Sequence, residues 1–149
     1  MNQQVIDQIS RYLLEHKKMT LATVTPEGQP VAHTVQYASK GNTVYFFTKP
    51  TQRKVNNINA NPRVAYTVDR DYDDWSKIQG VQMIGTAKVL QEKNEIDNAF
   101  TLIADKFPHM AAIGKAFLEH HVIVEVAPLN GRFIDNTISF GHYGETAYY

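Results

Sequence analysis

Apolar positions along the chain follow two rhythms, one of about 3.6 residues and one of two, and the switches between them mark the elements. Val5, Ile6, Ile9, Tyr12, Leu13 and His16 share one helical face, so residues 3–17 predict an amphipathic N-terminal helix ending near Lys17 or Lys18. Strands follow. Leu21 to Thr25 and Val31 to Ala38 flank the turn sequence Pro26-Glu27-Gly28-Gln29, and Lys40-Gly41-Asn42 turns the chain into a β-branched and aromatic strand over Thr43 to Thr48. Val64 to Val68 predicts a fourth strand and Ile78 to Leu90 a long fifth one, in which Gly80 and Gly85 mark bends or close backbone approach. Ile96, Phe100, Ile103 and Phe107 return to helical spacing until Pro108 breaks it. Met110 to Leu118 then predicts another short helix and His121 to Val126 a sixth strand. Six strands with short hairpins and peripheral helices predict an α+β fold around a closed antiparallel barrel, because closure removes exposed strand edges.

Between the third and fourth strands the pattern acquires a chemical oddity. Pro50 and Thr51 supply a turn and an N-cap, Val55 and Ile58 give a short helix its inward face, and Asn61-Pro62 ends it. Arg53 and Lys54 then fall in the first turn, where the helix dipole disfavours positive charge by roughly 0.3–1 kcal/mol per group. The position three after Thr51 is Lys54, not the Glu or Gln of a capping box. Two readings fit these residues. In one, the free N–H groups of the helix start, a threonine hydroxyl and two cations hold a phosphate. In the other, this is a solvated basic turn.

Composition narrows the partners. With 149 residues, of which 43% are hydrophobic, the chain can bury one core, and no linker divides it, so residues 1–149 form a single predicted domain. No apolar run is long enough to span a bilayer, and Met1-Asn2-Gln3-Gln4 lacks the basic start of a signal peptide, so a cytoplasmic location is expected. The 15 basic and 15 acidic residues cancel, which leaves no broad field for nucleic acid or an anionic membrane. Any anion has to be caught locally. The absence of cysteine removes disulfides, thiolate nucleophiles and zinc–thiolate sites. Asp69, Asp71 and Asp73 alternate like the start of a calcium loop, but Asp74 stands where that loop needs Gly and Gly80 where it needs Glu. His120 and His121 would face opposite ways on a strand, and His33, His109 and His142 stand singly, so no metal site is predicted. There is no nucleophile elbow, Walker loop or dinucleotide glycine motif. If NAD(P)H is an electron donor, it must therefore lie directly against another cofactor.

The run Val44-Tyr45-Phe46-Phe47-Thr48, then Gln52-Arg53-Lys54, Ile58 and Asn61-Pro62-Arg63-Val64, resembles the FMN-phosphate segment of the pyridoxamine 5'-phosphate oxidase-like, FMN-binding split-barrel superfamily. That family's pattern is a strand ending in an aromatic residue and Thr, then Ser-Arg-Lys, an apolar residue and Asn-Pro; Gln52 replaces the Ser. Met19 to Val24 with Pro26-Glu27-Gly28 resembles its first hairpin and Ile84-Gly85-Thr86-Ala87-Lys88-Val89 its Gly-x-Ala strand, so the likeness covers roughly residues 5 to 134.

The resemblance implies a split-barrel homodimer with FMN at the interface. Arg53 and Lys54 match the phosphate-binding pair, with Thr51 and Gln52 beside them, and Phe47 and Thr48 match the strand end next to the ribityl chain and flavin, Phe47 replacing a Tyr. Ala32-His33-Thr34-Val35 occupies the strand whose backbone lines the isoalloxazine ring. A family Gln on the long fifth strand aligns with Gly80, and Gln82, on the same side of that strand, is the candidate to replace it. The family's terminal Trp and Arg have no counterparts in Asn130 to Asn136, and its basic C-terminal substrate motif is absent. Oxidation of pyridoxine or pyridoxamine phosphate is therefore the runner-up. The leading expectation is a small FMN-dependent oxidoreductase transferring hydride or electrons, with no acid, base or nucleophile assigned. Competing expectations are a haem-binding or haem-degrading protein using His33, His120 or His142 as axial ligand, a deazaflavin-dependent reductase, and a non-enzymatic flavin electron carrier. The insertion over residues 97–118 and the tail over residues 135–149 either shape a different pocket or serve as packing and a loose terminus.

Overall fold

A computed structural model of the protein describes residues 2–148. The chain order is α1 (Gln3–Glu15), β1 (Lys18–Val24), β2 (Pro30–Gln36), β3 (Ala38–Lys40), β4 (Thr43–Thr48), α2 (Arg53–Ala60), β5 (Arg63–Val68), β6 (Gln79–Val89), α3 (Lys93–Lys106), α4 (Pro108–Ile113), β7 (Val122–Asp135) and β8 (Tyr143–Ala147). All strand pairs are antiparallel, in the order β2-β1-β5-β6-β7-β4-β3, with β8 added beside the second half of β7. The sheet curls into a half-barrel with helices at its ends and on one flank, which is the split-barrel form of the predicted α+β fold.

Alternation along the strands explains the two cores. Met19 and Leu21 of β1, Val44 and Phe46 of β4, Tyr66 and Val68 of β5, Val81 and Met83 of β6, and Val124 and Val126 of β7 all turn inward. Helix α1 adds Val5, Ile9, Tyr12 and Leu13 to that interior. Burial of an aliphatic side chain such as Ile9 or Leu13 contributes about 1.5–3 kcal/mol. The opposite side of β3, β4 and β7 carries Ala38, Phe47 and Ile123 against Phe100 and Ile103 of α3, Phe107, and Met110 of α4, forming a second cluster outside the barrel wall.

Several expectations change. Among the described residues there are eight strands, not six. The predicted second strand breaks after Gln36, and Ala38–Lys40 pairs separately with β4. The predicted sixth strand continues from Val126 to Asp135, because its first half lies beside β4 and its second half beside β8. The predicted helix from Met110 to Leu118 is α4 followed by a 3-10 turn over Lys115–Glu119, separated by Gly114 at φ 78°. Nor does the sheet close on itself: β2 and β3 are its two ends. Helices α1 and α3 pack on β3, whereas β2 keeps Ala32, Thr34 and Gln36 exposed.

Gly85 sits at a register shift in the β6–β7 ladder, where a side-chain carbon would collide with the Ala127 carbonyl oxygen. The expected close backbone approach is thus realised at this glycine. The tail is not loose. Residues 143–147 pair with β7, Asn2 N donates to Thr146 Oγ1 at 3.0 Å, and the Tyr148 hydroxyl donates to Asn42 Oδ1. Tyr149, the last residue of the predicted tail, lies outside the described residues. No helix among them is long and apolar enough to cross a membrane.

Candidate functional site

Strand β4 ends at Thr48, and five residues later the chain enters α2, so the helix start lies at one end of the seam between β2 and β4. The N-cap residue is Gln52, not Thr51, and no side chain bonds the exposed N–H groups of the first turn. Arg53 and Lys54 are consequently the first two helical residues, and the position three after the cap is Val55. A capping box is thus out of reach of Lys54. Val55 and Ile58 face inward as their spacing predicts, and buried Asn57 donates to Thr23 Oγ1 at 3.0 Å, pinning α2 to β1.

No carboxylate among the described residues forms an ion pair with the charges at this corner. Ion pairs among the described residues join Lys88 to Glu95 and Glu125, Lys115 to Asp97, and Arg132 to Glu145; none includes Arg53 or Lys54. Burial holds the Lys54 amine below its usual pKa. His33 of β2 faces the same corner. Its Nε2 is buried without a hydrogen-bond partner, and burial, then Lys54 and Arg53, hold the imidazole pKa below its ordinary value. The nearby Thr48 hydroxyl makes only a long 3.5 Å contact to the Lys49 carbonyl oxygen. Buried donors without partners cost free energy unless another acceptor meets them.

A cavity of about 330 Å³ lies between β2 and β4, bounded by Val35 and Phe47, the strand neighbours of Thr34 and Thr48, and walled on its far side by the α3–α4 insertion. Val35, Phe47, Ile103, Phe107, Met110 and Phe117 make it apolar, while Thr34, Gln36 and His109 supply polar edges. The Phe47 ring meets Phe117 edge-on with centroids 4.9 Å apart. Phe117 is stacked on His121 at 3.6 Å, and His121 Nδ1 is 3.0 Å from the Phe117 carbonyl oxygen. Behind the wall residue Tyr37, the Lys106 ammonium lies 4.1 Å from the ring centroid and donates to the Leu13 carbonyl oxygen at 3.0 Å. Burial, with Lys17 nearby, lowers the Lys106 pKa to about 8.

The sequence-derived residues divide between two surfaces. His33, Val35, Phe47, Thr48, Thr51, Gln52, Arg53 and Lys54 lie along the seam or at its cationic end. Ala32 turns outward from β2, Thr34 is exposed on the same side while also bordering the cavity, and Gln82 stands on the outer face of β6. Ladder partners run across that face in two rows, Thr34-Thr20-Thr67-Gln82-Arg132-Glu145 and Ala32-Ala22-Ala65-Ile84-Asn130-Ala147. Three strand spacings, about 14 Å, separate Thr34 from Gln82. One chain therefore does not bring Gln82 to the Arg53–Lys54 corner.

The cavity residues Ile103, Phe107, His109, Met110 and Phe117 belong to the insertion over residues 97–118, expected either to shape a pocket or to pack, but none was named individually as a site residue. The helical spacing of Ile103 and Phe107 signals burial but not what they are buried against. Of the histidines considered as axial ligands, His33 adjoins the seam; His120 ends the 3-10 turn and His142 lies by Asp135.

A protein-family model described as pyridoxamine 5'-phosphate oxidase matches residues 5–135. No curated protein matches the chain significantly. Among solved structures, a conserved hypothetical protein of Mycobacterium tuberculosis superposes with a TM-score of 0.78 at 21% identity, covering 88% of this chain and 84% of that one. A heme-binding protein of Mycobacterium smegmatis gives 0.78 at 19% identity, and the match covers 95% of this chain but only 57% of that longer protein. An FAD-binding protein of Mesorhizobium loti gives 0.65 at 23% identity, covering 83% of this chain and 89% of that one. At such identities the superpositions speak to the fold.

Proposed function

Because the chain belongs to the pyridoxamine 5'-phosphate oxidase family, whose model spans residues 5–135, we propose that it binds FMN along the β2–β4 seam and acts as a small oxidoreductase. The observation that carries this reading is the meeting of Arg53, Lys54 and the unpartnered His33 Nε2 beside the two strands that also wall the aromatic slot, with no carboxylate paired to either cation among the described residues. Arg53, Lys54 and the free N–H groups of α2 would hold the phosphate, and Thr48, Thr51 and Gln52 would border it. Phe47, Val35 and the backbone of β2 would flank the ring. FMN supplies hydride or electron transfer when bound, so the chain's own task is to seat it, exclude water with Phe107, Met110 and Phe117, and leave one edge open to a small-molecule substrate.

The same reading assigns the outer sheet face to a homodimer. Alanines and threonines on β2, β1 and β5 leave a low surface suited to close approach by another sheet, with Ile84 54% exposed beside it. An isologous pairing over this face would let the partner subunit's Gln82 approach the cofactor, which Gln82 of the same chain cannot do. Sedimentation should give a dimer at micromolar concentration, and a flavin-loaded monomer would contradict the pairing.

A haem reading has support of its own in the unpartnered His33 Nε2 and in the heme-binding protein with this fold. The visible spectrum of freshly purified protein separates the two. Flavin absorption with one FMN per chain is expected, whether carried through purification or acquired on addition. A Soret band, or failure to take up FMN, would reverse the assignment.

A further inference from the structure

We propose that the His33 side chain is the third phosphate-binding group of this site and that it takes up a proton from solvent when a phosphomonoester binds. The inference rests on the FMN reading and adds proton-coupled recognition to it. His33 is on the inward side of β2, paired in the ladder with Leu21, and its Nε2 is enclosed by protein without a hydrogen-bond partner. The elements packed around it define its charge environment. From α2 come Arg53 and Lys54. The inward residues of β1 are Met19, Leu21 and Thr23, and those of β4 are Val44, Phe46 and Thr48, none of which titrates. The imidazole therefore meets two cations and no carboxylate among the described residues.

Without an anion, that environment disfavours the imidazolium, since burial and two like charges both oppose a third positive charge. A dianionic phosphate between Arg53, Lys54 and His33 inverts the balance. It offsets the cations and gives a protonated Nε2 an acceptor, so the bound-state pKa lies above the free-state one. The sign follows from linkage. Affinity gains as pH falls through the bound-state pKa, and the gain is complete below the free-state pKa, which itself lies below the ordinary value of about 6.5. The phosphate's own second ionisation near pH 6 acts in the opposite direction, and it acts equally on a His33→Gln variant. The difference between the two proteins isolates the imidazole.

The test is calorimetric titration of the apoprotein with FMN near pH 7 in two buffers of different ionisation enthalpy, repeated with riboflavin and with His33→Gln. The wild-type protein should take up a substantial fraction of one proton with FMN and far less with riboflavin. His33→Gln should lose that uptake and bind FMN roughly 10-fold more weakly at pH 6, with a smaller deficit at pH 8. Should the variant fold poorly, the imidazole nitrogens of His33 in nitrogen-15-labelled wild-type protein give the same answer: FMN should shift their titration upward. Equal proton uptake by both proteins, or a His33 titration unmoved by FMN, overturns the proposal while leaving the FMN site standing. Equal affinity for FMN and riboflavin removes both.

Discussion

Helices α1 and α2 begin in opposite ways. Helix α1 is capped by Asn2, whose Oδ1 accepts from Val5 N at 3.3 Å while its carbonyl accepts from Ile6 N at 3.1 Å. Helix α2 opens on Gln52 with no side-chain cap and puts two cations in its first turn. Helix α3 is intermediate, uncapped by a side chain but with Glu95 in its first turn, the sign the dipole favours. Of these three helix starts, α1 and α3 carry local stabilisation and α2 does not. At the α2 start an anion would provide both the missing acceptor and the missing negative charge.

The contrast breaks most visibly through the ligand. Arg53→Ala combined with Lys54→Ala should cost about 1.5–3 kcal/mol per removed contact, about 10- to 150-fold each in FMN affinity by titration, with little change in apoprotein melting. Asn57→Ala should come next. It removes a buried donor from Thr23 and should lower stability to denaturant by about 1–3 kcal/mol, because this bond holds α2 against β1. Asn2→Ala, at the ordinary helix start, should cost about 1 kcal/mol of stability and leave FMN affinity unchanged. The smallest effect has the opposite sign. Lys54→Gln should raise apoprotein stability by roughly 0.3–1 kcal/mol through relief of charge at the helix start, while weakening FMN binding. Since Gln52 is the cap, no capping-box gain is added at that position.

The sequence made one half of this contrast legible. Thr48 followed by Arg53, Lys54, Val55 and Ile58 locates the cations at a helix start, because a short amphipathic period after a strand leaves few alternatives. The cap itself was misplaced by one residue, at Thr51, since a turn residue with a hydroxyl outscores Gln by propensity while backbone geometry chooses Gln52. Long-range facts were less legible. His33 and Lys54 are 21 positions apart and meet only because β2 and β4 flank the same seam. Gln82 and Gly80 share a face, the outer one, and strand parity alone does not say which of the two faces of β6 looks toward the seam. The insertion's Ile103 and Phe107 read as a packing face, which they are, and only the gap left beside Phe47 and Phe117 turns them into a wall.

The ratio of FMN to riboflavin affinity, measured in wild-type protein and in the Arg53→Ala, Lys54→Ala variant, tests the phosphate site most directly because the flavin ring cancels from it. Wild-type protein should favour FMN strongly, and the variant should lose at least about 100-fold of that preference while binding riboflavin as before. An FMN-to-riboflavin ratio that is the same in both proteins would contradict the assignment of the α2 start as the phosphate site.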